Sequence, residues 1–303
     1  MLDLQQYRVP RNVIAGIAIT FLLILGAVTA WLIPLPILYY RVKLGRKISL
    51  IIPAVVILIL TWVSKEFSPG LIVFSGWMFL GYLLSECFEM KLSIEKTIIY
   101  TSLAVLMSGA LALLFYSNIS QTGIYDLAYR QVTVFLGYLV DAGLIAETPD
   151  DVKHMVTWML PGMVTTMVAF VSWVNVVLAI PLLKRNQLPC PEYGMLDQWK
   201  APEKMIWVTI AATLGILVDS KPLFLLSMNV MCLVFVVYFL QGISIVSFFV
   251  KMTRIPGFLR YLLYWLVFFQ FPVNLIVTGL GLFDMWVDFR TLISRMKKND
   301  AGD

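Results

Sequence analysis

The feature that most constrains this chain is a series of long apolar runs separated by short polar loops. Eight runs can be distinguished, at 13–33, 48–64, 69–86, 97–116, 155–183, 205–220, 222–250 and 258–283. Because a helix rises 1.5 Å per residue, roughly 20 apolar residues cross the hydrocarbon core of a bilayer. Hydrophobic residues make up 60% of the chain, compared with about 45–50% in soluble proteins. The sequence therefore predicts a polytopic membrane protein.

The runs indicate helices and not strands. They lack the alternation of apolar and polar residues that is typical of an outer-membrane barrel, and they are about twice as long as its strands. A helix also satisfies its own backbone hydrogen bonds within lipid. The predicted fold class is all-α: a polytopic transmembrane helix bundle of about eight segments, forming a single integral membrane domain over residues 1–303.

Both ends of the bundle contain helix breakers. Pro34 and Pro36 interrupt the stretch at 13–40, and the stretch at 257–289 contains Pro272, Gly279 and Gly281. Proline removes a backbone donor and disfavours helical conformation in the residue before it. Each end is therefore predicted to include a broken or re-entrant helix.

Lysine and arginine concentrate in alternate loops. Those at 41–47, 87–96, 184–204 and 251–260 are richer in these residues than the loops between them. Since short cytoplasmic loops carry an excess of positive charge, these four loops are predicted to face the cytoplasm.

The segment at 117–154 is too polar to span a membrane. Its apolar residues, among them Ile124, Leu127, Val134 and Tyr138, recur near helical spacing. This pattern predicts an extracytoplasmic amphipathic segment lying on the membrane surface. A lid over an outward-facing cavity is the alternative.

Amides inside the apolar runs are the candidate ligand-binding residues: Asn175, Asn229 and Gln241. Polar side chains are unfavourable in lipid and therefore face a partner helix, a cavity or water. Hydrogen bonding between helices is the alternative role for each of the three.

Two acids and an arginine follow the last run. Asp284, Asp288 and Arg290 form a candidate structural clasp that closes the bundle. On a continuous helix the two acids share one face, but Arg290 is a poor partner for either, being two and six residues away. A substrate or proton site is the alternative.

Recognisable catalytic chemistry is missing from the sequence. His154 is the only histidine, and it is expected to be solvated at the membrane interface; the three cysteines have no metal-ligand spacing. Nucleotide-binding glycine motifs and nucleophile elbows are also missing. Glu86 and Glu89, at the end of the third run, are expected to reach water. The sequence predicts no catalytic residues, no metal, no cofactor and no nucleic-acid partner, and it argues against an enzyme.

A resemblance appears at three motifs. The segment from Tyr238 to Val246, which contains Gln241-Gly242, the segment Gly281-Leu-Phe-Asp284 and the segment Asp288-Phe-Arg290 resemble the YybS-like family of bacterial multi-pass membrane proteins. The resemblance extends over most of the chain and implies the bacterial cytoplasmic membrane. It implies no particular activity.

That family is distantly similar to two classes of membrane protein. The substrate-binding S-components of energy-coupling-factor transporters imply small-molecule binding, with transporter ATPase subunits as partners. The MreD-like proteins imply a non-catalytic scaffold that holds other membrane proteins. Binding or a transport-associated role is the preferred prediction, and the scaffold is the alternative.

Overall fold

The computed structural model describes residues 30–64, 69–253 and 255–300. These residues form eleven α-helices, one 3₁₀ helix (Leu196–Gln198) and no strand. The helices are α1 (Pro34–Leu44), α2 (Arg46–Ser64), α3 (Pro69–Glu89), α4 (Ile94–Ser120), α5 (Ile124–Asp141), α6 (Asp150–Arg185), α7 (Met205–Leu217), α8 (Lys221–Thr253), α9 (Gly257–Phe269), α10 (Phe271–Val287) and α11 (Phe289–Asp300). The predicted all-α class is confirmed.

Four of the described helices are long and apolar enough to cross a membrane: α3 from Gly70, α4, α6 and α8. The pair α9 and α10, bent by 93°, is a fifth candidate if it counts as one broken span. The apolar parts of α2 and α7 are shorter, at Ser49–Trp62 and Met205–Leu217. The first predicted run lies mostly outside the described residues, so the number of eight segments stays a prediction.

The break near the C-terminus has a local cause. Pro272 stands in the first turn of α10, where a helix does not use its backbone N–H groups internally. Gln270, between the two helices, has an extended backbone with φ −104° and ψ 108°. Helix α10 then continues through Gly279 and Gly281. A break near Pro272 is thus present, whereas the two glycines do not interrupt the helix.

The chain divides into two compact units. Among the described residues, the first unit contains those up to 109 together with 171–191, and the second contains 110–170 together with 192 onwards.

In the first unit, α1 packs closely on α3. A Cβ atom at Gly81 would lie 2.4 Å from the backbone oxygen of Pro34, so only glycine permits this approach. Leu38 of α1 and Leu80 and Leu84 of α3 are fully buried. Apolar packing and close backbone approach therefore join these two helices.

In the second unit, α8 is the central helix and packs on α7 and α10. A Cβ at Gly242 would lie 1.9 Å from the backbone oxygen of Val277, and one at Gly281 would lie 1.9 Å from that of Tyr238. The two glycines let α8 and α10 meet backbone to backbone. This contact places Gln241, which precedes Gly242, and Asp284, three residues after Gly281, at the same height along the two helices.

The predicted amphipathic segment contains helix α5. Val134, Phe135 and Tyr138 are exposed on this helix, whereas Val132 is buried. Helix α4 extends to Ser120 and so takes up the first residues of the segment. The position of the segment outside the cytoplasm stays a prediction.

Candidate functional site

A buried ion pair joins the end of α10 to the start of α11. Arg290 Nη1 lies 2.8 Å from Asp284 Oδ2, and the side chains are 8% and 0% exposed. Helix α10 ends at Val287, and Asp288, which separates it from α11, takes a left-handed conformation with φ 44°. The backbone N–H of Phe289 also donates to Asp284 Oδ1 at 3.0 Å. The expectation that Arg290 is a poor partner assumed a continuous helix, and the turn at Asp288 makes it wrong.

The remaining donors of Arg290 hold the loop that precedes α7. Nη2 donates to the backbone oxygen of Trp199 at 2.8 Å and to Ser244 Oγ at 3.0 Å, and Nε donates to the backbone oxygen of Asp197 at 3.2 Å. The guanidinium thus binds one carboxylate, one hydroxyl and two carbonyls. Four hydrogen bonds thus compensate for the removal of this charge from water.

Gln241 completes this arrangement. Its Nε2 donates to Asp284 Oδ2 at 3.1 Å, and its Oε1 accepts from the backbone N–H of Ala201 at 3.2 Å. We call Gln241, Ser244, Asp284 and Arg290 the buried polar cluster. The predicted ligand-binding amide at 241 and two of the three predicted clasp residues therefore lie together.

Asp288 lies beside the buried polar cluster but is not part of it. Its Oδ2 accepts from Thr291 Oγ1 at 2.8 Å, and its Oδ1 lies 3.4 Å from Lys200 Nζ. The Thr291 hydroxyl, aided by the charge of Lys200, lowers the pKa of Asp288 against the opposing effect of partial burial.

An open groove of about 510 Å³ adjoins the buried polar cluster. We call it the basic groove. It is lined by Gln198, Lys200, Phe248, Asp288, Arg290, Thr291, Ser294 and Arg295. Ligand pockets commonly enclose about 300–1,000 Å³ and combine apolar walls with a few convergent polar groups. The groove has that size, but its lining is mostly polar and charged, with Phe248 as the one apolar side chain.

Asn229 is hydrogen-bonded to the backbone of α6 beside a proline. Pro161 has no backbone N–H to donate, and the N–H of the next residue, Gly162, donates to Asn229 Oδ1 at 2.6 Å. Asn229 Nδ2 donates in turn to the backbone oxygens of Trp158 at 2.9 Å and Leu225 at 2.8 Å. A Cβ at Gly162 would lie 2.7 Å from Asn229 Cα. The amide therefore bridges the N–H of Gly162 and the carbonyl of Trp158, which are four residues apart in α6.

Asn175 occupies a separate environment in the first unit. The side chain is fully buried, and Nδ2 donates to the backbone oxygens of Val171 at 2.7 Å and Trp31 at 2.8 Å. Oδ1 is buried and has no hydrogen-bond partner among the residues that the structure describes. The three predicted ligand-binding amides thus have three different sets of partners and share none.

A second charged cluster is formed by residues from α1, α2 and α3. Arg41 is 1% exposed and binds Glu86 at 2.6 Å and Glu89 at 2.9 Å, and Arg46 also binds Glu86 at 2.6 Å. The two carboxylates were expected to reach water, and they are 21% and 48% exposed, but the two arginines were not foreseen as their partners. The sequence did contain a signal for this pairing, because the predicted orientation places the loop at 41–47 and the end of the third run on one side of the membrane.

His154 belongs to an aromatic cluster, although it was expected to be simply solvated. Its ring stacks on Tyr129 with centroids 4.6 Å apart, and Nδ1 is hydrogen-bonded to the hydroxyl of Tyr125. Tyr125 also lies against Trp158, with centroids 5.2 Å apart. Tyr125 and Tyr129 are four residues apart, and so are His154 and Trp158. This spacing places side chains on one face of a helix, and it was the signal in the sequence for the aromatic cluster.

Metal-binding groups are missing from the described part of the chain, where no three His, Cys, Asp or Glu side chains lie close enough to hold an ion. Cys87, Cys190 and Cys232 are free thiols.

A family model described as "Predicted membrane protein (DUF2232)" matches residues 12–285. No curated protein and no solved structure matches the chain. The match covers the apolar runs, the buried polar cluster up to Asp284 and all three candidate amides.

Proposed function

We propose that this chain, which belongs to the DUF2232 family of predicted membrane proteins, is a non-catalytic membrane protein that binds a small molecule in the basic groove. The observation that carries the proposal is the groove itself, where residues from the 198–200 loop, α8 and α11 converge on about 510 Å³ of open space. This volume lies within the range of small-molecule pockets.

The proposed binding site does not include the three amides. In Asn229 and Gln241, both the amide oxygen and the amide nitrogen are hydrogen-bonded within the protein, which supports a structural role for them. Lys200 and Arg295 instead present charge to the groove. Lys200 lies in a loop predicted to face the cytoplasm, so the proposed site opens to the inner side of the membrane.

We further propose that the binding serves transport and that the protein lies in the bacterial cytoplasmic membrane. This part of the proposal rests on the resemblance to YybS-like proteins and S-components. An inward-opening groove differs from the outward-facing pocket that the S-component resemblance implies. Within this proposal, the groove is a site for loading or regulation from the inner side, and ATPase subunits are the expected partners.

The test is to purify the full chain gently from its native membrane and identify the small molecules that accompany it by mass spectrometry. Ser294→Trp fills the groove, whereas Leu292→Trp adds the same ring to an exposed position of α11 that does not line it. A stoichiometric compound present in wild type and Leu292→Trp but lost in Ser294→Trp supports the proposal. Equal retention in both variants contradicts it.

A scaffold is the second candidate, and the surface of α4 favours it. Only 11% of the apolar window of α4 is buried, compared with 50%, 39% and 33% in the other three long helices. Met107 and Leu111 are 67% and 65% exposed. A photo-crosslinking residue at 107 or 111 is expected to yield one reproducible protein adduct if α4 holds a partner. Adducts with lipid alone would remove support for the scaffold.

A further inference from the structure

The charges around the basic groove do not balance. Lys200, Arg290 and Arg295 line it together with a single carboxylate, Asp288. The charge of Arg290 is balanced by its ion pair with Asp284, and Lys200 lies 3.4 Å from Asp288. Arg295 is exposed, and up to its own position it has no ion pair or hydrogen bond with any side chain that the structure describes. Among these side chains, one positive charge is left for a ligand.

The side chain of Arg295 ends in a guanidinium, which favours anions with several oxygens. Its planar set of donors matches the oxygens of a phosphate or a carboxylate, and it can bind two of them at once. Lys200, as a compact charge on the other element of the groove, adds a second attraction. A phosphodiester carries one negative charge, which equals the charge that the groove leaves uncompensated.

The surroundings of the groove are apolar on one side. Phe248 forms part of its wall. Phe283, Trp286 and Val287, at the end of α10 next to Asp288, are 55%, 62% and 43% exposed. Aromatic residues at the end of a membrane helix are typical of the headgroup level of a bilayer. A ligand in the groove can thus place a charged group on Lys200 and Arg295 while an apolar part remains in lipid.

We propose that the basic groove binds a phosphate group through Lys200 and Arg295. This inference rests on the proposed function, because it names the chemical class of the ligand in the same groove. The phosphate belongs either to the headgroup of an anionic lipid or to a free phosphate compound. Basic pockets beside membrane helices suit either source, since each cation attracts the same charged group.

The experiment uses the full chain in nanodiscs that contain phosphatidylcholine and phosphatidylglycerol in equal amounts. Native mass spectrometry then counts the lipids that remain on the protein. Wild type is expected to retain phosphatidylglycerol in preference to phosphatidylcholine. Each cation removed is expected to weaken this retention about fivefold, so Lys200→Gln with Arg295→Gln lowers it roughly 25-fold.

The matched control is Lys204→Gln with Arg260→Gln. Both residues are exposed, both lie in loops or loop ends predicted to face the cytoplasm, and neither lines the groove. The control removes the same net charge and is expected to keep the preference for phosphatidylglycerol. Arg295→Lys keeps the charge but loses the planar donors and is expected to fall between wild type and Arg295→Gln.

Inorganic phosphate and glycerol phosphate distinguish the two sources. If the lipid preference is missing but millimolar phosphate raises the melting temperature of wild type and not of the double groove variant, the source is a free phosphate compound. If neither probe separates the groove variant from the control, the phosphate inference is overturned. If a neutral compound is then lost from Ser294→Trp, the proposed function is still supported. Equal retention in Ser294→Trp and Leu292→Trp would contradict both the proposed function and the phosphate inference.

Discussion

Each of the two units contains an arginine that is almost completely buried, yet the two arginines are stabilised in different ways. In the first unit, Arg41 binds Glu86 and Glu89, whose side chains are 21% and 48% exposed, and Arg46 shares both carboxylates. In the second unit, Arg290 binds Asp284, which is 0% exposed, and fills its other donors with carbonyls and a hydroxyl. The carboxylates of the first cluster are partly exposed to solvent, whereas Asp284 in the second is enclosed by protein, although Arg290 also lines the basic groove.

The difference predicts what happens when a charge is removed. A carboxylate near water regains hydration after its partner is lost, whereas one enclosed by protein cannot. Breaking a pair with an enclosed carboxylate therefore leaves an uncompensated charge inside the protein, and breaking one with exposed carboxylates mainly removes hydrogen bonds. Four experiments test this comparison.

Arg290→Met is expected to have the largest effect. It leaves Asp284 buried without its cation and should lower the free energy of unfolding by about 3–5 kcal/mol. Asp284→Leu combined with Arg290→Met removes both charges and should restore part of the loss. Unfolding by SDS in mixed micelles measures both values. Arg260→Met is the control for loss of an exposed arginine. An equal loss of free energy of unfolding in Arg260→Met and Arg290→Met would contradict the inference that Asp284 is enclosed by protein.

The glycine contacts beside each cluster can be tested in parallel. Gly281→Ala places a Cβ against the Tyr238 carbonyl, and Gly81→Ala places one against the Pro34 carbonyl. Each should lower the free energy of unfolding by about 1–3 kcal/mol, because the backbones must separate.

Gly279 and Gly76 provide the matched controls, since a Cβ at either position meets nothing within 4 Å. Alanine there should be neutral, or stabilising by up to about 1 kcal/mol, because it favours the helix. Losses of equal size at 281 and 279 would show that helix propensity, and not close packing, governs α10.

Arg41→Met should have a smaller effect than Arg290→Met, about 1–2 kcal/mol, because Glu86 and Glu89 can hydrate and Arg46 remains bound to them. The same SDS unfolding measures it. Adding Arg46→Gln removes the second cation and should increase the loss. A loss in Arg41→Met as large as in Arg290→Met would mean that the carboxylates of the first cluster are enclosed as well.

Asp288→Asn should have the smallest effect, under about 1 kcal/mol at pH 7, because the pair with Lys200 is exposed. Asparagine also tolerates the left-handed backbone at this position. Since the pKa of Asp288 is lowered by folding, its stabilising contribution is present above the ordinary value of 3.8 and is lost as the pH falls through the lowered pKa. Melting temperatures of wild type and variant should therefore converge at acidic pH. Curves that stay parallel down to pH 3 would contradict this assignment.

The sequence predicted the long helices well. The runs at 69–86, 97–116, 155–183 and 222–250 correspond to α3, α4, α6 and α8, because a long apolar run has few alternatives to a helix in lipid. The runs at 48–64 and 205–220 gave shorter apolar helices. Apolar length alone does not determine where a helix is capped, so the number of crossings was the weaker prediction.

The polar contacts were harder to predict. The Asp284–Arg290 pair depends on one left-handed residue, Asp288, which a periodic pattern does not reveal. Asn229 and Gln241 were assigned to a pocket because an amide in an apolar run has the same sequence signal whether it binds a ligand or another helix. Gln241 contacts Ala201, 40 residues away in sequence, and no local rule predicts such a partner. The basic groove was missed for the same reason, since its residues come from three separate segments.

The bridge between Asn229 and Gly162 has a consequence for synthesis of the chain. The two residues are 67 positions apart, so at about 5–20 residues per second Asn229 is made roughly 3–13 s after Gly162. Until then the Gly162 N–H and the Trp158 carbonyl, which are four residues apart, have only each other as helical partners. The contacts that Asn229 makes with α6 therefore form only after this part of α8 has been synthesised.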